Sequence, residues 1–155
     1  MSERKRGRPL VVLVPPGRDG IGSKVCTKCG EEKPLADFYV DEAKARHPTC
    51  AWTSQCKACQ NARVVAHYRA LRLAAIQKLG GACACCGESR YEFLAFDHIN
   101  GRQKTGPKSS RMSIAQLKRI LAGEAGDLRI LCHNCNCARG FYGFCPHELE
   151  REETA

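Results

Sequence analysis

Leu128-Arg129-Ile130-Leu131-Cys132-His133-Asn134-Cys135-Asn136 is an apolar run that enters a Cys-x-x-Cys turn and leaves it on an asparagine. The run reads as a β-strand, and the turn as half of a metal site. Two thiolates three residues apart grip one ion from a tight loop, and a second such turn completes a tetrahedral zinc site. The nearest upstream partner is Cys83-Ala84-Cys85-Cys86-Gly87. Between the two halves lies Phe96-Asp97-His98-Ile99-Asn100-Gly101, on a strand expected over Phe93 to Ile99.

The same grammar occurs earlier in the chain. Cys26/Cys29 and Cys56/Cys59 are two further Cys-x-x-Cys pairs, and nearest-neighbour pairing joins them in a second four-cysteine site. Gly30 and Gly87 directly follow the first pair of each site, where a glycine lets backbone amides turn toward the sulfurs. The expectation is therefore two structural zinc ions, since four thiolates leave no open position for water. Of the 12 cysteines, Cys50, Cys85, Cys137 and Cys145 are left over. They read as buried or free thiols. The alternative is a third site in which Cys145-Pro146-His147 joins Cys85 or Cys137.

The 155 residues suggest one ordinary domain or two very small ones. Aromatics make up only 6%, and a small core of that kind usually needs covalent or metal staples. The clearest N-terminal apolar run, Leu10 to Val14, is bracketed by prolines and far short of the ~20 residues that span a bilayer. It is also too short for a secretory signal. The expected compartment is thus the cytoplasm, the host's if the chain is phage-encoded, where clustered cysteines bind metal more often than they pair.

From these signals the chain divides into a flexible basic arm (1–24), a zinc module (25–60), a linking helix (61–81), a second module (82–147) and an acidic tail (148–155). Phe38, Tyr39 and Trp52 are the expected core of the first module. Val64, Tyr68, Leu71, Ala75 and Leu79 recur at helical spacing, and Gly80-Gly81 ends the run. Arg63, Arg69, Arg72 and Lys78 lie off that stripe. Ser113 with Gln116 predicts a capping box before Ile114, Leu117 and Leu121.

Twenty-five Lys+Arg against 16 Asp+Glu give a formal charge of +9. The acidic tail contributes −3, so the remainder stands at +12. That balance favours a nucleic-acid partner, argues against a protein-interaction module, and predicts salt-sensitive binding. Arg4, Lys5, Arg6 and Arg8 in the arm, and Lys104, Lys108 and Arg111 in a Gly/Lys/Ser-rich loop, are the expected phosphate contacts. Lys5-Arg6-Gly7-Arg8-Pro9 also fits a segment lying in a narrow minor groove.

A structural zinc would bring the strand bearing Asp97 and His98 near the turn bearing Asn136. Oxygen ligands from Asp97 and Asn136 suit a hard divalent ion such as Mg²⁺ or Mn²⁺. An imidazole beside them can take a proton from water. A metal, a base and a basic protein together suggest phosphodiester hydrolysis.

Asp97-His98-Ile99-Asn100-Gly101 followed by Leu128 to Asn136 resembles the HNH, or ββα-metal, nucleases. The likeness is strongest to phage recombination endonuclease VII-like and phage HNH-like zinc proteins. It spans Cys83 to about Gly140. The first module, Cys29-Gly30-Glu31-Glu32-Lys33-Pro34-Leu35-Ala36-Asp37-Phe38-Tyr39, and the segment Gly140 to His147 are similar to other parts of such proteins. The resemblance implies a small α+β zinc-stapled protein, with a treble-clef-like ββα-metal module behind a zinc knuckle and a linking helix. It implies that His98 activates water and that Asp97 and Asn136 hold the catalytic ion.

The chain departs from the family pattern at Asn100, where a second histidine is usual, and at Arg139, where an acid is usual. Arg139 is read as a phosphate contact, because a guanidinium cannot ligate a metal. Asp127 is read as tying the loop to the His98 strand, with a turn residue as the alternative. The expected function is a metal-dependent DNA endonuclease. The alternative is a non-catalytic zinc-stapled DNA-binding protein on the same scaffold. No membrane partner is expected, and the oligomeric state is open, a homodimer included.

Overall fold

The computed structural model describes residues 22–41, 51–101 and 112–152. The expected contacts Arg4, Lys5, Arg6, Arg8, Lys104, Lys108 and Arg111 lie outside the described residues, as do Cys50 and His47. Among the described residues no helix is long and apolar enough to cross a membrane.

The chain divides into two compact units, Met1–Val64 and Val65–Ala155. In the first, β1 (Ser23–Val25) pairs antiparallel with β2 (Glu32–Pro34), and β3 (Phe38–Val40) pairs with β4 (Trp52–Cys56). Helix α1 (Lys57–Lys78) follows β4 directly and continues into the second unit. It therefore begins at Lys57 rather than at residue 61. The Cys56/Cys59 turn is the helix's own first turn, where unpaired amides are available to thiolates.

Phe38 is the one large apolar side chain buried in this unit's core, together with Cys26 and Cys56. Trp52 packs against that group, but Tyr39 is 41% exposed and not a core residue as expected. Successive strand residues face opposite ways, so Phe38 inside puts Tyr39 outside. Its hydroxyl donates to Asn61 Oδ1, and Lys57 Nζ sits over its ring.

The second unit contains β5 (Leu94–His98), α2 (Ile114–Leu121), β6 (Leu128–Cys132), α3 (His133–Tyr142) and α4 (Pro146–Glu152). Strands β5 and β6 are antiparallel, with Leu94 opposite Cys132 and His98 opposite Leu128. Phe93 belongs to a preceding 3-10 turn, so the strand is shorter than Phe93 to Ile99. Residues 146–152, expected in part as an acidic tail, form a helix whose first turn carries Glu148, which complements the positive end of the helix dipole.

Ile76, Leu94, Ile130 and Leu131 form one core group with Cys83, Cys85, Cys132, Cys135 and Cys145. Ala75, Leu117 and Ile120 form another. Val64, placed on the apolar stripe from sequence, is 55% exposed, whereas Ile76, left off it, is buried. Each full burial of an aliphatic side chain contributes roughly 1.5–3 kcal/mol.

Arg72, off the apolar stripe of α1, is nonetheless half-buried. Its guanidinium donates to Leu94 O and lies 4.6 Å from the Tyr91 ring centroid and 5.7 Å from that of Phe96.

Helix α2 has both halves of the capping box: Gln116 N donates to Ser113 Oγ, and Ser113 N donates to Gln116 Oε1. Ser113→Ala is expected to cost about 1 kcal/mol. That should lower the melting temperature of the second unit by roughly 4–8 °C in a calorimetric scan.

Candidate functional site

The two knuckles are built alike. In the first, Cys26 N donates to Glu31 O and Gly30 N to Cys26 O; in the second, Cys83 N donates to Glu88 O and Gly87 N to Cys83 O. Gly30 and Gly87 have φ of 74° and 78°, the left-handed region that favours glycine and closes the turn. Amides then face sulfur: Lys28 N donates to Cys26 Sγ, and Cys85 N to Cys83 Sγ.

The second half of each site starts a helix. Cys56 N, just before α1, donates to Cys26 Sγ, and the Cys132 thiol caps α3 by accepting from Cys135 N.

These turns bring Cys26, Cys29, Cys56 and Cys59 together, and likewise Cys83, Cys86, Cys132 and Cys135, with all ligand atoms of each group within 4.8 Å. None of the described cysteines is in a disulfide. Zinc suits both groups. A tetrahedron with Zn–S of about 2.3 Å has an S···S edge of about 3.8 Å, and Cys86 Sγ lies 3.7 Å from Cys132 Sγ.

The proton chemistry points the same way. The Cys29 amide, then that of Cys56, holds the Cys26 thiol down to about 6, while the hydrogen bond to Cys56 pushes Cys59 up to about 12. Burial opposes ionisation of Cys83, but the amides of Cys86, Cys132 and Cys85 bring it down to about 6. Burial, then Cys132, pushes Cys135 up. Four thiols this close do not all ionise unaided, and a bound divalent cation is what makes four thiolates favourable.

A third group is Cys85, Cys135, Cys145 and His147, again within 4.8 Å. Cys137 is exposed on α3 and His133 is exposed in its first turn; neither stands in a group among the described residues. His67 is exposed on α1.

Asp97 and His98 end β5. Asp97 Oδ2 accepts from Arg129 Nε at 2.8 Å across the strand pair, both side chains being mostly buried. His98 Nδ1 lies 3.0 Å from Asp127 Oδ1. That hydrogen bond holds the Asp127 carboxyl below its ordinary value. Ile99 N donates to Asp127 O, which ties the loop to the strand by backbone as well.

Asn136 is half-buried on α3. Arg139 lies three residues on and therefore on the same helix face. Its guanidinium donates through Nε and Nη2 to Glu148 Oε1, at 3.0 and 2.6 Å. Sequence reasoning missed the Asp97–Arg129 and Arg139–Glu148 pairs. The first is signalled only by strand register, the second only by the turn between α3 and α4.

Comparison with known proteins gives no match to a family model, a curated protein or a solved structure.

Proposed function

We propose that the protein is a metal-dependent DNA endonuclease of the ββα-metal type. The observation that carries this reading is the run of β5, β6 and α3, with His98 hydrogen-bonded to Asp127, Asp97 preceding it on β5 and Asn136 on α3. If Nδ1 of His98 donates to Asp127, Nε2 is left as an acceptor, which a general base requires.

A Mg²⁺ or Mn²⁺ ion held by the Asp97 carboxylate and the Asn136 side-chain oxygen would supply positive charge for the phosphate and the departing oxygen. Arg129 engages one carboxylate oxygen, and a carboxylate has acceptor capacity beyond one guanidinium contact. His98 takes a proton from water, and the water oxygen bonds to phosphorus. The bond to the 3′ oxygen breaks, that oxygen takes a proton from solvent, and a 3′-hydroxyl and a 5′-phosphate are left. The excess of Lys+Arg, and the exposed Phe141 and Tyr142 beside Arg139, support DNA as the substrate.

One observation favours the second reading, a non-catalytic zinc-stapled DNA-binding protein. Asp97 and Arg139 are each already engaged by an opposite charge. Incubation of supercoiled plasmid with full-length protein and Mg²⁺ or Mn²⁺ separates the two. Nicking that disappears in His98→Ala, with zinc content unchanged, is the expected result. Intact plasmid, branched DNA included, together with salt-sensitive binding, would establish the second reading.

A further inference from the structure

Cys135 belongs to two ligand groups at once: one with Cys83, Cys86 and Cys132, the other with Cys85, Cys145 and His147. The second group draws on three parts of the same unit. Cys85 is the extra cysteine inside the knuckle Cys83-Ala84-Cys85-Cys86, Cys135 sits in the first turn of α3, and Cys145 and His147 stand at the entry to α4. Cys85, Cys135 and Cys145 are 8%, 0% and 1% exposed. Three buried thiols gathered this closely, with the exposed His147 imidazole at their edge, are an unusual use of polarisable groups unless something binds them.

The distances fit tetrahedral zinc. With Zn–S of about 2.3 Å and Zn–N of about 2.0–2.1 Å, the S···N edge is about 3.6 Å. His147 Nδ1 lies 3.5 Å from Cys135 Sγ and 3.3 Å from Cys145 Sγ. One imidazole nitrogen has a single lone pair, so it cannot accept from both thiols at full strength, whereas one ion satisfies all three atoms.

The segment bearing Cys145 and His147 is also held in place without metal. Glu148, fixed by Arg139, accepts from Cys145 N through Oε2 at 3.3 Å.

We propose that the second unit holds two zinc ions sharing the Cys135 thiolate. One ion is bound by Cys83, Cys86, Cys132 and Cys135, the other by Cys85, Cys135, Cys145 and His147. Two ions on one sulfur lie no more than about 4.6 Å apart at that bond length. The second ion fastens α4 to the knuckle and to α3. Cys85, Cys145 and His147, which a lone four-cysteine site leaves without a role, become ligands. The proposal concerns metal count and is independent of whether the chain cuts DNA.

Native mass spectrometry of the full-length protein purified with zinc is expected to show three ions per chain, one for each ligand group. The double variant Cys145→Ser/His147→Ala should carry two. Two ions in the unaltered protein, or three in the variant, would overturn the proposal.

Cadmium substitution of the unaltered protein gives a reading that does not depend on the variant's folding. Three ¹¹³Cd resonances are expected, with the Cys135 β-protons coupled to two of them. Coupling of every cysteine to one cadmium alone would equally overturn the bridge.

Discussion

Removal of zinc with a strong chelator is expected to abolish cooperative folding of the first unit and to loosen the second. Phe38 is the one large side chain fully buried in the first unit's core, worth roughly 1.5–3 kcal/mol. Apparent zinc-binding energies in small four-ligand domains are about 10–16 kcal/mol, as large as the whole stability of an ordinary domain. The second unit also buries Leu94, Leu117, Ile120, Ile130 and Leu131, so it retains collapsed structure after the first has melted. Amide signals of residues 22–41 and 51–64 should therefore lose dispersion first as chelator is added. A metal-free protein with an unchanged spectrum would show that the thiols are not a staple.

Acid acts through the same groups. Cys26 has its folded-state pKa lowered from 9.0 to about 6, so the stability its thiolate contributes to the folded first unit is full above about pH 9 and fades as the pH falls toward 6. Bound zinc competes with protons and moves the loss lower. Zinc release should begin only below about pH 6 and should unfold the first unit as it proceeds.

The second large effect is expected at Asp127. Under the nuclease reading, His98→Ala removes the base and should lower nicking by roughly 10²–10⁴-fold. Asp127→Asn should cost a comparable amount, because Asp127 acts through His98. An amide can donate to Nδ1 and so hold the imidazole in the tautomer whose Nε2 carries the proton. Both side chains are more than a third exposed, so the loss appears in rate and not in stability. Rescue by Asp127→Glu, together with a displaced acid limb of the pH–rate profile in Asp127→Asn, would mark a positioning role. Full nicking activity in Asp127→Asn would remove Asp127 from the mechanism.

What the sequence made legible was local. Cys-x-x-Cys pairs and the Ser113/Gln116 box are read from spacing alone, because each is closed within a turn. The shared role of Cys135 was not, since nearest-neighbour pairing uses each cysteine once, and Cys145 meets it only after α3 has turned into α4. Tyr39 and Val64 were misplaced for a related reason. A short strand or a helix end shows apolar residues without showing which neighbour covers them. The partners of Arg72 are not legible from its helix, because the Tyr91 and Phe96 rings and the Leu94 carbonyl come from a distant segment. Asp97, His98 and Asn136 stand out in the sequence by residue type and place; that Asp97 meets Arg129 depends on the register of β5 against β6.

The four-cysteine knuckles also change what the chain presents to an ionic surrounding. The +9 of the sequence counts every thiol as neutral. Four thiolates around one Zn²⁺ carry a formal charge of about −2, and a thiolate-bridged pair with six thiolates carries the same. With both units metallated, the protein therefore stands near +5 rather than +9. Its electrophoretic mobility and isoelectric point report metal occupancy, and loading it with zinc weakens its overall pull on polyanions.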